Sequence, residues 1–181
     1  RSDVKNGGVL ALASYPSYDP NMFQKGLTVQ QAKDLFSEST GVPALNRAIQ
    51  GAYAPASTFK ALSVVAATKA GYNMNNRYNC PASVKVGNRD FNNFEVKSQG
   101  VINMEQAIAV SCDTIWYQIA YDEWVRDGGL TPKTNVNDYF FSNAKGFGVG
   151  KKTGIDLPDE VTGRLPDRQD WKSTRLNSSH R

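Results

Sequence analysis

Apolar residues along this chain come in runs with well-marked polar breaks. Val9-Leu10-Ala11-Leu12-Ala13-Ser14-Tyr15 follows the turn signal Asn6-Gly7-Gly8 and is almost continuously apolar, which predicts a strand covered on both faces. Pro16 and Pro20 end it, with Asp19-Pro20-Asn21 as a turn. Thr28-Val29-Gln30-Gln31 has the pattern of a capping box and opens a short helix through Phe36, closed by Gly41 and Pro43. Residues 58–67 form a run that predicts a buried helix ending at Gly71. From Tyr72 to Gly100 the chain is polar and rich in Asn, an irregular loop with a small hairpin around residues 84–94. A second capping box, Asn103-Met104-Glu105-Gln106, opens a helix through Val110. After Ser111-Cys112-Asp113 a strongly apolar helix begins at Thr114 and ends near Gly128-Gly129. A further helix is predicted over residues 136–145. A strand at the start, a buried helix and a helical middle make an α+β protein.

Composition narrows the function classes. Hydrophobic residues at 40% and charged residues at 21% are ordinary for a globular protein, and 181 residues suffice for one domain with a sizeable core. The net charge of +4 owes part of its value to Arg175 and Arg181, and no basic run or aromatic-basic interleaving suggests a nucleic-acid partner. Ser173-Thr174-Arg175-Leu176-Asn177-Ser178-Ser179-His180 has no apolar periodicity and resembles one translated frame of a sequencing adapter. Residues 172–181 are therefore taken as a non-native tail, and residues 3–171 as the domain proper. Setting the tail aside removes His180, the only histidine, and with it a Ser-His-Asp triad and most histidine-dependent metal sites. A nucleophilic serine then needs another base, and lysine is the available chemistry. Cys80 and Cys112 lack metal-ligand spacing; a disulfide is open to them in an oxidising compartment, but two free, half-buried thiols are the reading adopted. No window approaches a membrane span of ~18 apolar residues.

The candidate chemistry centres on Tyr53-Ala54-Pro55-Ala56-Ser57-Thr58-Phe59-Lys60. Ser57 falls at the first turn of the buried helix, where free N–H groups and the positive dipole end favour a developing anion. Lys60 lies three residues on, so its amine can reach the Ser57 hydroxyl. Burial at an apolar helix start lowers a lysine's pKa and frees the amine as a base. The alternative is a capping serine followed by a surface lysine. Ser111-Cys112-Asp113 is a polar triplet held between two apolar helical runs, with a plain interhelical turn capped by Asp113 as its alternative. The glycines of residues 146–154 satisfy neither a phosphate loop nor a dinucleotide fingerprint.

Taken together, Ser57-Thr58-Phe59-Lys60 and Ser111-Cys112-Asp113 resemble the first and second motifs of the penicillin-recognising serine enzymes. Residues 9–23, 45–68, 106–119 and 147–166 resemble the transpeptidase domain of class B penicillin-binding proteins, with residues 11–21 and Thr153-Gly154-Ile155-Asp156-Leu157-Pro158 the most specific stretches. Asp rather than Asn at position 113 is similar to the elongation-type subgroup, penicillin-binding protein 2.

The resemblance implies a transpeptidase fold like that of serine β-lactamases, a sheet flanked by helices plus an all-helical cluster, incomplete at the C-terminus. It implies a D,D-transpeptidase that cross-links peptidoglycan stem peptides through a serine acyl-enzyme and is a target of β-lactams. In it Ser57 is the nucleophile, Lys60 takes its proton, Ser111 relays a proton to the leaving amine, and Asp113 holds Lys60 and Ser111. Neither cofactor nor metal is implied. The implied partners are stem peptides, β-lactams and a membrane glycosyltransferase of the elongation machinery, at the extracytoplasmic face of the membrane with an anchor upstream. Lys152-Thr153-Gly154 matches the family's third motif in letters, but it stands only 41 residues after Ser111, inside a segment that precedes that motif in the family. It is treated as a decoy, so the 181-residue chain alone is expected to be inactive. A serine β-lactamase or D,D-carboxypeptidase and a β-lactam sensor domain share the first motif and remain as alternatives.

Overall fold

Residues 1–166 are described by the structure, a computed structural model, and they divide into two units. One comprises Arg1–Tyr53 and Lys151–Arg164, the other Ala54–Gly150 and residues 165–166. The adapter-like tail lies outside the described residues.

In the first unit the Asn6-Gly7-Gly8 turn forms. Gly7 N–H donates to Asp3 O and Asp3 N–H to Gly8 O, both at 2.8 Å, and a single antiparallel bridge joins Ser2 to Val9. The strand expected over residues 9–15 does not form. Past Ala11 no ladder continues among the described residues, and Leu10 and Tyr15 are 65% and 87% exposed. A continuous apolar run carries strand propensity, but a strand exists only against a partner's N–H and C=O groups, and among the described residues Arg1 offers them to Leu10 and Ala11 alone. Asp19 caps a 3-10 turn, Pro20–Phe23, and Thr28 with Gln31 makes the expected capping box of α1 (Val29–Phe36). Asn46 caps the short helix α2 (Arg47–Gln50). The Ser14 hydroxyl donates to Leu45 O at 3.1 Å and accepts from Arg47 N–H at 3.0 Å, tying the extended stretch to the start of α2. Val161 N–H donates to Ile49 O at 2.9 Å and attaches the later segment.

The second unit is built on α3 (Lys60–Lys69), entered through a 3-10 turn, Ala56–Phe59. Gly71, at φ +98°, reverses the chain after α3, a conformation that glycine adopts without strain. Next come β1 (Tyr78–Cys80), β2 (Ser83–Val86), β3 (Arg89–Asn92) and β4 (Gly100–Ile102). The expected hairpin is β2 against β3, with Val84 opposite Phe91; β1 pairs antiparallel with β4, Cys80 opposite Gly100. The sheet component of the described residues is thus a pair of two-stranded ladders rather than one flanked sheet, and the α+β class stands. Asn103 and Gln106 form the second capping box, on α4 (Met104–Ala109), followed by α5 (Thr114–Arg126) and α6 (Tyr139–Gly146).

Ala67, Cys80, Met104, Ala107, Cys112, Ile115, Trp116 and Ile119 form one core beneath these helices. Fully buried Ala66 and Ala67 keep the surface of α3 small where neighbours pack. Asn143 of α6, itself buried, donates to Leu62 O at 3.0 Å and accepts from Lys69 Nζ at 3.1 Å, bonding α6 to α3. The expectation of free, half-buried thiols is overturned, because Cys80 and Cys112 are disulfide-bonded and both buried. Their separation of 32 residues hides the pairing in the sequence; in the fold the residues beside them also meet, with the Thr114 hydroxyl donating to Pro81 O.

Candidate active site

Ser57, Lys60, Ser111 and Asp113 all lie in the second unit, and the fold brings the four side chains together. The 3-10 turn leading into α3 sets Ser57 and Lys60 one turn apart on the same side. The link from α4 to α5 carries Ser111 and Asp113 to that side. Two non-glycine residues take left-handed backbone here, Ala56 at φ +47° and Ser111 at φ +55°. Each such residue costs about 1–3 kcal/mol and persists where surrounding structure over-determines it. They stand immediately before Ser57 and at Ser111 itself.

Lys60 is 7% exposed, and its Nζ is surrounded by oxygen. Ser57 Oγ is 3.2 Å away, Ser111 Oγ 2.9 Å, Ser111 O 2.7 Å and Asp113 Oδ1 2.6 Å. The Lys60 nitrogen carries at most three N–H donors, so four oxygens at this range share them. Both hydroxyls face outward, 2.9 Å apart, while the lysine sits beneath them. A proton can therefore pass between Ser57, Lys60 and Ser111 with no group moving far. Asp113 begins α5 yet makes no side-chain cap; its carboxylate goes to Lys60 instead. Tyr117, one turn along α5, has its pKa raised by burial and, secondarily, by the negative charge of Asp113.

A residue that sequence reasoning missed holds this turn in place. Asn93, buried at the end of the β2–β3 hairpin, accepts from Asp113 N–H at 2.9 Å and Thr114 N–H at 3.1 Å through its Oδ1. It sits in a loop crowded with asparagines, and only a partner 20 residues away distinguishes it. Lys152-Thr153-Gly154 behaves differently. The triplet lies in no strand, and Glu160 Oε1 accepts from the Thr153 hydroxyl at 2.7 Å and the Thr153 N–H at 2.8 Å. Those bonds, hydroxyl first, hold the Glu160 pKa below the usual carboxylate value.

A serine and a lysine one helical turn apart, met by a Ser-x-Asp turn on an α+β fold, define the class of penicillin-recognising serine enzymes. The chain matches the penicillin binding protein transpeptidase domain over residues 2–180, and it belongs to that family. It is 35% identical over 182 residues to the peptidoglycan D,D-transpeptidase MrdA of Escherichia coli K12, covering 97% of this chain and 26% of that protein. Among solved structures, the PBP2 of Pseudomonas aeruginosa in complex with WCK 5153 is similar with a TM-score of 0.75 and 29% identity, over 95% of this chain and 37% of that one. The complex between PBP2 and MreC from Helicobacter pylori is similar with a TM-score of 0.78 and 28% identity, over 99% of this chain and 31% of that one. The chain thus spans about a quarter of the length of the relatives it matches by sequence.

Proposed function

We propose that this chain carries the acylation half of a peptidoglycan D,D-transpeptidase of the elongation type. The observation that supports this most is the Lys60 amine, held within hydrogen-bond reach of both the Ser57 and Ser111 hydroxyls and braced by Asp113. In this reading Ser57 Oγ attacks the carbonyl of a D-alanyl-D-alanine bond, and Lys60 accepts its proton. The Ser57 N–H, at the positive entrance to α3, supplies half of the oxyanion site. Ser111 Oγ passes a proton to the departing amine. The amine of a neighbouring stem peptide then resolves the ester and forms the cross-link. β-Lactams acylate the same serine.

The domain assignment belongs to the same proposal, with residues 3–171 as transpeptidase domain and 172–181 as a non-native tail. So do the finer partners: stem peptides, a membrane glycosyltransferase of the elongation machinery, and an MreC-like protein of the kind bound to the Helicobacter pylori relative. The site of action is the extracytoplasmic face of the membrane. No helix among the described residues is long and apolar enough to cross one.

Fluorescent penicillin tests the reading in the full gene product that carries this sequence. A long-lived adduct is expected, and Lys60→Ala should slow its formation by ~10²–10⁴-fold, the usual cost of losing a general base. Rapid release of hydrolysed penicillin would instead favour a β-lactamase or carboxypeptidase.

A further inference from the structure

We propose that the polar segment between α3 and α4 is a clamp that positions the Ser111-Cys112-Asp113 turn for catalysis, with Asn93 and the Cys80–Cys112 disulfide as its two grips. The proposal rests on the acyl-transfer reading above and assigns a role to a stretch that the reaction otherwise leaves idle.

Three consecutive residues are anchored to this segment by four bonds, one of them covalent. Cys112 is tied covalently to Cys80. The N–H groups of Asp113 and Thr114 both end on Asn93 Oδ1. The Thr114 hydroxyl donates to Pro81 O at 2.9 Å. Asn93 is itself fixed, because its Nδ2 donates to Pro81 O at 2.9 Å and Lys97 O at 2.8 Å, and its N–H donates to Ala82 O at 3.0 Å. Its side-chain amide thus has both ends bonded, and a buried amide so satisfied has one orientation.

The turn needs this support. Ser111 holds a left-handed backbone that a serine does not favour, and Asp113 spends its carboxylate on Lys60 rather than on capping α5. Asn93 supplies that missing cap from outside the helix. Letting the turn relax would move Asp113 Oδ1 and Ser111 O, the two closest contacts of Lys60. The hydrogen bonds of the Asn93 side chain run to its own segment and to the start of α5. It acts through Asp113 and Ser111, as a positioning residue.

The test is stopped-flow acylation of the full gene product by a fluorescent penicillin, comparing wild type, Asn93→Ala, Asn93→Asp and the double variant Cys80→Ala/Cys112→Ala. Folded enzyme is counted by circular dichroism, and the adduct is located by peptide mapping. Asn93→Ala and the double variant should lower the limiting acylation rate by ~10–10²-fold, the scale of a misplaced catalytic group, with the dissociation constant of the initial complex unchanged. Asn93→Asp keeps an oxygen for both N–H groups and should retain more of the rate than Asn93→Ala. Wild-type acylation rates in the folded variants would overturn the clamp, however far their melting temperatures fall. Should Asn93→Ala fail to fold, the double variant and phosphine-reduced wild type decide the matter by the same rate. Wild type without an adduct on Ser57 would overturn the acyl-transfer reading itself, and the clamp with it.

Discussion

Two hydroxyls face each other at 2.9 Å beside one lysine, and side-chain distances alone hardly separate Ser57 from Ser111. The backbone does. Ser57 stands in the turn that enters α3, at the positive end of that helix, which favours an oxyanion. Ser111 follows the C-terminal end of α4, and its own carbonyl is turned to Lys60. The N–H groups that open α5 are already taken by Asn93. Negative charge develops at lower cost on the Ser57 side. Asp113 is the third voice at this scale. Asp113→Asn keeps one oxygen acceptor for Lys60 and should retain part of the acylation rate, whereas Asp113→Leu should lose ~10²-fold. Equal rates in wild type and the leucine variant would reduce Asp113 to an ordinary turn residue.

At the level of elements, α5 carries both the site and much of the core, since Ile115, Trp116 and Ile119 face inward directly after Asp113. Ile115 is 1% exposed, so Ile115→Ala should cost about 2–5 kcal/mol of stability, measured by denaturant unfolding, while the adduct still forms in the folded fraction. The elements legible in the sequence were those whose signal is local. Thr28 with Gln31 and Asn103 with Gln106 declare two helix starts within four residues, and both formed. The spacing of Ser57 and Lys60 likewise needs only one helical turn. What escaped depended on distant partners. Residues 9–15 have strand chemistry without a ladder, and the Cys80–Cys112 bond joins positions 32 residues apart. Asn93 looked like any other loop asparagine. The start of α6 at Tyr139 rather than at residue 136 follows Asp138, whose carboxylate accepts from Phe141 N–H at 3.1 Å and caps the helix.

For the molecule as a whole, a charge buried away from the site makes stability depend on pH. Glu123 on α5 is 5% exposed, and burial raises its pKa above the ordinary 4.5, with Arg126 opposing the shift. A raised folded pKa means that the fold favours the protonated acid. Its contribution is fully present below about pH 4.5 and is lost as pH rises through the folded pKa. Glu123→Gln removes that titration, so the gap between variant and wild-type melting temperatures should shift in the variant's favour as pH rises from 4 to 7. A constant gap across that range would contradict the assignment. In the proposed reaction Ser57, and not its neighbour at 2.9 Å, is the acylated residue. The direct measurement is mass spectrometry of proteolytic peptides from the full gene product after penicillin treatment. The added mass is expected on the peptide containing Ser57 and is expected to vanish in Ser57→Ala; an adduct on Ser111, or one that survives in Ser57→Ala, would overturn the assignment.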